Sequence, residues 1–166
     1  MVRVCLAGAT GWAGSELARA IGGDLELVSA VSRSHAGEKL GATPVFATAA
    51  EALAVPCDVF VEYTTAKTAK ANILVALQHN ADVVVGSSGL TDDDFVEIDA
   101  LARTQQRGVL ACGNFAITMV LMQKFAEIAA KYVPSWEILD YAYEGKPDAP
   151  SGTARVAMTF PVASRQ

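Results

Sequence analysis

The stretch Gly8-Ala-Thr-Gly11-Trp-Ala-Gly14 decides the fold. It follows the apolar run Val2–Ala7 directly and opens a helical pattern. The first glycine permits a tight turn, the second lets the backbone approach a pyrophosphate, and the third lets helix and strand pack closely. Strand, turn and helix in this order form a dinucleotide-binding fingerprint, here as the variant G-x-x-G-x-x-G. It predicts a phosphate-binding turn of Gly8, Ala9, Thr10, Gly11, Trp12, Ala13 and Gly14.

Beyond this turn, apolar runs alternate with helical patterns as far as Cys112. The runs are rich in Val, Leu and Ala without polar alternation, which is typical of parallel strands buried on both faces. They are Val2–Ala7, Leu25–Val31, Asp58–Glu62, Asp82–Val85 and Gly108–Cys112. The predicted helices are Ser15–Ile21, Ala47–Leu53, Thr65–His79 and Thr91–Gln105. We therefore expect an α/β fold with a doubly wound parallel sheet of the Rossmann type, which binds ligands beyond the carboxyl ends of its strands.

The last of these helices has the clearest start. Thr91 is followed by Asp92, Asp93 and Asp94, so a capping hydroxyl precedes three carboxylates in the first turn. The helix dipole favours negative charge at that end.

After Cys112 the pattern changes to a long apolar helix, Ile117–Tyr132, and an extended stretch, Trp136–Glu144. We predict a dinucleotide-binding domain over residues 1–115, and the start of a smaller α+β substrate domain over residues 116–166. The second part has about 50 residues, too few to close a core of its own. We therefore expect the chain to be incomplete.

The composition excludes several classes of protein. Hydrophobic residues make up 52% of the 166 residues and charged residues 19%, which excludes intrinsic disorder. The net charge of −5, without a basic cluster, argues against nucleic-acid binding and favours small-molecule partners. No apolar run approaches the roughly 18 residues of a membrane span, and no signal segment precedes the first strand, so we expect a cytoplasmic protein.

The three cysteines, Cys5, Cys57 and Cys112, are widely spaced and lie in or beside apolar segments. This pattern favours reduced thiols over a disulfide framework or a metal cluster. We predict no metal site.

The end of the second strand indicates the choice of cofactor. An acidic residue there would bind the ribose 2′-hydroxyl of NAD, but the strand ends in Val31-Ser-Arg33-Ser34. Because a guanidinium can grip a phosphate with two hydrogen bonds, Arg33 favours NADPH, with NADH as the lesser possibility. The alternative is a solvated surface arginine.

Two further strand-end loops are rich in glycine and hydroxyl residues. Their backbone groups can approach a nicotinamide, and an Asn or Phe side chain can contact its amide or ring, although ordinary turns use similar residues. The predicted contacts are Gly86, Ser87 and Ser88 after the fourth strand, and Cys112, Gly113, Asn114 and Phe115 after the fifth.

Together with the glycine turn, four segments resemble dihydrodipicolinate reductases of lysine and diaminopimelate biosynthesis. They are Val61-Glu-Tyr-Thr64, Gly86-Ser-Ser-Gly89, Gly113-Asn-Phe115 and, most specifically, Lys146-Pro-Asp-Ala-Pro-Ser-Gly-Thr-Ala154. The resemblance implies a Rossmann domain, and a smaller mixed-sheet domain that binds substrate and forms homotetramers. It also implies the use of NADPH or NADH to reduce 4-hydroxy-tetrahydrodipicolinate, a cyclic dicarboxylate, to tetrahydrodipicolinate.

The segment around Lys146 also suits an anion on chemical grounds. A dicarboxylate needs cations and N–H donors, and Lys146 with the backbone amides of Ser151, Gly152 and Thr153 would supply both. The alternative is a proline-capped loop with a surface lysine.

The sequence departs from the family at its usual His-His pair, whose positions hold Ala142 and Tyr143. The chain has two histidines, His35 and His79, and neither lies in this segment. We therefore predict Lys146 as the proton donor and Tyr143 as a substrate contact, and the alternatives are Tyr143, Glu144 or water as the donor, or no donor.

Family members also continue well beyond the segment that ends this chain. Two other functions stay open: a dinucleotide-binding module or fragment with another imine substrate or no catalysis, and a semialdehyde or acyl-phosphate reductase with Cys112 as nucleophile. The latter class needs a histidine base downstream, and none follows His79.

Overall fold

The computed structural model describes residues 1–133, 135–139 and 141. Strands and helices alternate along most of this chain. In order they are β1 (Val2–Ala7), α1 (Trp12–Ala20), β2 (Leu25–Val31), β3 (Lys39–Leu40), β4 (Thr43–Phe46), α2 (Ala49–Ala52), β5 (Val59–Glu62), α3 (Ala66–Gln78), β6 (Asp82–Val85), α4 (Asp92–Gln105), β7 (Val109–Ala111) and α5 (Ile117–Ala130). A short 3₁₀ turn, Arg33–His35, follows β2.

The strands form one sheet in the order β3-β4-β2-β1-β5-β6-β7. All neighbours are parallel except the edge pair β3 and β4, which is antiparallel. The chain leaves β1 toward β2 and β4, and then returns to place β5 on the other side of β1. The order therefore reverses between β1 and β5, and in such sheets the ligand crevice lies beyond the carboxyl ends at that point. This is the predicted Rossmann-type doubly wound fold.

The sequence predicts five strands, and all five are present. Three of them, β1, β2 and β6, have the predicted bounds, whereas β7 is shorter by one residue at each end and leaves Cys112 outside the sheet. The predicted strict alternation of strands and helices is wrong after β2, because two further strands, β3 and β4, precede the next α-helix. These strands have two and four residues, and β4 contains Pro44, so neither gives a recognisable periodic signal.

The sheet is covered on both faces. In β1, Cys5 and Ala7 face a core cluster that includes Phe60, Ile73 and Leu77 from β5 and α3. Leu6 faces the opposite cluster, against which α1 packs. Because side chains alternate across a strand, a strand buried on both faces needs apolar residues throughout, which explains the unbroken apolar run.

Helix α1 begins at Trp12, three residues before the predicted Ser15, so Gly14 lies inside its first turn. Glycine is unfavourable inside a helix, so the sequence pattern predicted that the helix starts after Gly14. Helix α4 begins as predicted: the Thr91 hydroxyl accepts from Asp94 N at 3.2 Å, and Asp94 Oδ2 accepts from Thr91 N at 2.9 Å. This is a capping box.

The chain divides into two compact units, of which the first is Met1–Ala111 and the second begins at Cys112. In the described part of the second unit, α5 confirms the predicted helix and ends two residues earlier than expected. Its apolar side chains Leu121, Phe125 and Ile128 are about half exposed or more. The described residues of Trp136–Glu144 form no strand, and the rest of that stretch lies outside the described residues. No helix in the described chain is long and apolar enough to cross a bilayer.

Candidate functional site

The turn after β1 requires glycine at two positions for steric reasons. Gly8 has φ +81°, and a Cβ there would lie 2.2 Å from the carbonyl oxygen of Tyr63. A Cβ on Gly14 would lie 2.0 Å from the carbonyl oxygen of Gly8. Gly11 N donates to the same oxygen at 2.9 Å. The first turn of α1 therefore lies directly against the backbone of the turn, which larger side chains would prevent.

The amino end of α1 differs from those of α2 and α4. Those two helices begin with capping boxes built on Thr48 and Thr91. The N-cap of α1 is Gly11, which has no side chain to cap the first amides, and the first turn holds no acidic residue. Uncapped amides at the positive end of a helix dipole are suited to bind an anion.

A cleft of about 730 Å³ opens beside this turn. It is lined by Gly8, Gly11, Val31, Ser32, Arg33, Ser34, Ala47, Thr48, Ala49, Tyr63, Thr64, Thr65, Thr68 and Asn72. The structure thus brings Arg33 to the same cleft as two of the fingerprint glycines. The described lining residues include no carboxylate, so the charge of the lining favours a phosphate.

Hydroxyl groups connect the turn with the region of Arg33. The hydroxyls of Thr10 and Ser32 lie 2.6 Å apart, and the Ser34 hydroxyl lies 2.9 Å from His35 Nδ1. These groups place hydrogen-bond donors and acceptors around the end of β2, where the sequence predicts recognition of the ribose and its phosphate.

The sequence reasoning assigned no role to Glu62, the last residue of β5. Its side chain is fully buried. It accepts hydrogen bonds from Thr64 N at 2.7 Å, from the Thr64 hydroxyl, from Ser87 Oγ at 3.1 Å and from Asn72 Nδ2 at 2.9 Å. A carboxylate that ends an apolar strand, directly before a hydroxyl-rich loop, is the signal that could have identified it.

The loop after β6 is built against Tyr63. A Cβ on Gly86 would lie 2.0 Å from Cζ of the Tyr63 ring, so the ring occupies the space that a side chain would need. Partial burial raises the pKa of the Tyr63 hydroxyl. Of the other predicted contacts in this loop, Ser87 reaches Glu62 and Ser88 is exposed.

Two further members of the predicted turn differ in exposure: Ala9 is buried in the core and Trp12, at the start of α1, is exposed. The predicted contacts after β7 and the predicted substrate and catalytic residues lie in the second unit. Cys112, Gly113 and Phe115 are exposed, and Asn114 Oδ1 accepts from Ala116 N at 2.8 Å. Five predicted substrate or catalytic residues lie outside the described part of the chain: Tyr143, Lys146, Ser151, Gly152 and Thr153. Within the described part, no group of three or more His, Cys, Asp or Glu could hold a metal ion.

The chain is similar in sequence to one family of reductases. The family model for the N-terminal part of dihydrodipicolinate reductase matches residues 2–115. The 4-hydroxy-tetrahydrodipicolinate reductase of Enterococcus faecalis is 38% identical over 161 residues, which cover 93% of this chain and 62% of that protein. The enzyme of the same name from Streptococcus suis is 37% identical over 155 residues, which cover 92% of this chain and 61% of that protein. The chain thus spans about three fifths of these relatives.

The chain is also similar to a solved structure of a dihydrodipicolinate reductase. A dipicolinate-bound dihydrodipicolinate reductase from a Paenisporosarcina species matches with a TM-score of 0.79 and 31% identity. That match covers 100% of this chain and 69% of the other. Myo-inositol 2-dehydrogenase from Lactobacillus plantarum matches with a TM-score of 0.62 at 13% identity, over 79% of this chain and 42% of that protein. The second likeness shows the shared fold alone.

Proposed function

The chain belongs to the dihydrodipicolinate reductase family, and from this premise we propose that it binds a reduced nicotinamide dinucleotide and reduces 4-hydroxy-tetrahydrodipicolinate. Two relatives at 37–38% identity carry the name of that reductase. The Paenisporosarcina enzyme has bound dipicolinate, a planar cyclic dicarboxylate. These likenesses support the same substrate class for this chain, in lysine and diaminopimelate biosynthesis.

The uncapped amino end of α1 beside the cleft is the observation that carries the proposal. Gly8 and Gly14 lack the side chains that would fill the turn, so a pyrophosphate can approach its amides. The cleft extends from there to the end of β2 and offers space for the adenosine half of a dinucleotide. When bound, the reduced nicotinamide supplies the hydride, and the residues of the chain position it and exclude water.

We propose NADPH as the preferred cofactor and NADH as the weaker one. The support comes from Arg33, which lines the cleft among hydroxyl side chains and without a carboxylate among the described lining residues. A 2′-phosphate gains a charge-assisted hydrogen bond from such a group, whereas a 2′-hydroxyl gains little.

For the reduction itself we propose Lys146 as the group that binds a substrate carboxylate and donates the proton. The backbone amides of Ser151, Gly152 and Thr153 hold the same anion, and Tyr143 contacts the substrate. Support comes from the sequence: a lysine followed by a Ser-Gly-Thr segment supplies the cation and the N–H donors that a dicarboxylate requires.

We also propose that the protein assembles as a homotetramer through its second unit where the full substrate domain is present. The exposed apolar side chains of α5, among them Leu121, Phe125 and Ile128, support association. Sedimentation analysis measures the assembly directly, and a monomer at all concentrations would contradict it.

The test of function combines binding with turnover. Calorimetric titration should show binding of NADPH. On a full-length form with the same Lys146 segment, loss of reduced-nicotinamide absorbance should follow addition of freshly made cyclic substrate. Lys146→Met should lower turnover by the ~10²- to 10⁴-fold typical of a lost general acid and leave NADPH binding near normal. Lys124→Met, which removes a lysine paired with Glu127 on α5, serves as the matched control.

Three outcomes would change the proposal. Loss of turnover in Tyr143→Phe or Glu144→Gln, with turnover kept in Lys146→Met, would assign the proton to another residue. NADPH binding without turnover of this substrate would favour another imine substrate or a binding module. No binding of either dinucleotide would exclude a reductase.

A further inference from the structure

Glu62 holds two loops of the dinucleotide site with one oxygen atom. Its Oε1 accepts from Thr64 N at 2.7 Å, from the Thr64 hydroxyl and from Ser87 Oγ at 3.1 Å. Its other oxygen, Oε2, accepts from Asn72 Nδ2 at 2.9 Å. The side chain is fully buried, so solvent does not compete for these bonds.

The two loops follow neighbouring strands, and one of them lines the cleft. Thr64, in the loop after β5, lines the cleft together with Gly8 and Arg33. Ser87 lies in the loop after β6, one strand farther from β2. In this fold the turn after β1 binds the pyrophosphate and the end of β2 binds the adenosine ribose, so the β6 loop lies toward the nicotinamide end.

We propose that Glu62 is a positioning residue for the cofactor. Its Oε1 fixes the loop after β6 against the loop after β5, so the nicotinamide end of the site is held in register with the adenosine end. This inference rests on the proposed function, because it presupposes that a nicotinamide dinucleotide occupies the site.

The fold itself does not require a carboxylate here. Backbone hydrogen bonds already join the end of β5 to the next loop, where Gly86 N donates to the Glu62 carbonyl oxygen at 2.9 Å. Burial of a carboxylate is unfavourable unless its hydrogen bonds are satisfied, and an apolar side chain of similar volume often serves stability equally well. The bonds to Thr64 and Ser87 therefore indicate a role in placing these loops.

Loss of the carboxylate should affect the two loops unequally. The Thr64 hydroxyl has a second contact, Thr68 Oγ1, at 2.9 Å. Within the described residues, both contacts of the Ser87 hydroxyl are with Glu62, at 3.1 Å to Oε1 and 3.5 Å to the backbone carbonyl. The Ser87 side chain should therefore lose its placement first, because the loop after β6 then keeps the backbone bonds of Gly86 N and Ser87 N to the Glu62 carbonyl oxygen but loses its bond to the carboxylate.

The test compares Glu62→Leu with wild type in calorimetric titrations with NADPH and with 2′,5′-ADP, which represents the adenosine half alone. We expect NADPH to bind about tenfold more weakly to the variant, and 2′,5′-ADP to bind within about twofold of wild type. Glu62→Gln keeps an oxygen for Thr64 and Ser87, and should bind NADPH within about threefold of wild type.

Asp94→Asn is the matched control for stability alone. Asp94 caps α4 and pairs with Lys70 at 3.0 Å, and it does not line the cleft. It should lower the melting temperature and leave both affinities unchanged. If Glu62→Leu does not fold, Glu62→Asp replaces it, because the shorter side chain withdraws the carboxylate oxygen from Thr64 and Ser87. Glu62→Asp should weaken NADPH about threefold or more and leave 2′,5′-ADP unchanged.

The outcomes separate the two proposals. Equal losses for NADPH and 2′,5′-ADP, or no loss for either, would overturn the positioning role while wild-type binding of NADPH still supports the proposed function. Failure of wild type to bind NADPH or NADH would overturn both.

Discussion

Arg33 is the one charged side chain among the described residues that line the cleft. It lies two residues beyond the end of β2, at the start of the 3₁₀ turn, so the strand end determines its place. Arg33→Ala should weaken NADPH by about 1.5 to 3 kcal/mol, because one charge-assisted phosphate pair is lost, and should leave NADH nearly unchanged. Titration calorimetry with both cofactors measures the difference. Arg107→Ala, which removes an arginine outside the cleft lining, is the control, and equal losses for both cofactors would remove the 2′-phosphate contact.

A substitution at Gly14 tests whether α1 must pack directly against the turn after β1. A Cβ there would meet the Gly8 carbonyl oxygen at 2.0 Å, and backbone cannot move aside as a flexible side chain can. Gly14→Ala should therefore lower the free energy of unfolding by about 1 to 3 kcal/mol and weaken cofactor binding, because α1 must shift away from the turn.

Gly22→Ala is the matched control, because a Cβ there meets nothing within 4 Å. Urea titration and cofactor titration of both variants make the comparison. An unchanged cofactor affinity in a folded Gly14→Ala variant would show that the phosphates bind elsewhere.

At the scale of elements, the apolar runs and the start of α4 were predictable because each is a local pattern. A fully buried parallel strand requires continuous apolar residues, and a capping box requires a hydroxyl and a carboxylate three residues apart. Strands β3 and β4 were not predictable, because two and four residues around Pro44 carry no period.

The site residues also divide into those that a local sequence pattern identifies and those that it does not. The glycine turn was predictable because the spacing of its three glycines follows from the geometry of the turn. The proposed role of Glu62 depends on its contact with Ser87, which lies 25 residues away, after the neighbouring strand. Such a contact depends on the pairing of β5 with β6, which no local pattern records.

The capping box of α4 predicts a specific dependence on pH. The backbone amide of Thr91, Lys70 and the Thr91 hydroxyl hold the pKa of Asp94 at about 2, below its ordinary value of 3.8. Because the unfolded chain takes up the proton first, the contribution of Asp94 to stability is complete above 3.8 and is lost as pH falls to about 2. In Asp94→Asn this part of the acid dependence should be absent, as urea titrations across that range will show. An unchanged acid profile would contradict the role of the cap.

At the scale of the whole molecule, stabilising contacts are found at both ends of the strands. At the amino ends, Arg3 of β1 pairs with Asp58, just before β5, at 2.7 Å. The turn, the cleft and the Glu62 contacts lie at the carboxyl ends. Because the sheet lies between, changes before the strands, such as Gly22→Ala and Arg107→Ala above, should leave the site unaltered.

The rates at which a thiol reagent modifies the three cysteines depend on how deeply each one is buried. Burial raises the pKa of the Cys5 thiol to about 12 and also raises that of Cys57, whereas Cys112 is exposed. Because the thiolate is the reactive form, a thiol reagent should modify Cys112 at once, Cys57 slowly and Cys5 only after the sheet opens. Mass spectrometry of labelled peptides gives each rate, and Cys112→Ser, which removes the fast phase alone, is the control. If NADPH binds the folded unit, saturating NADPH should slow the labelling of Cys5. Rapid labelling of Cys5 without denaturant would contradict the closed packing of β1 between its two cores.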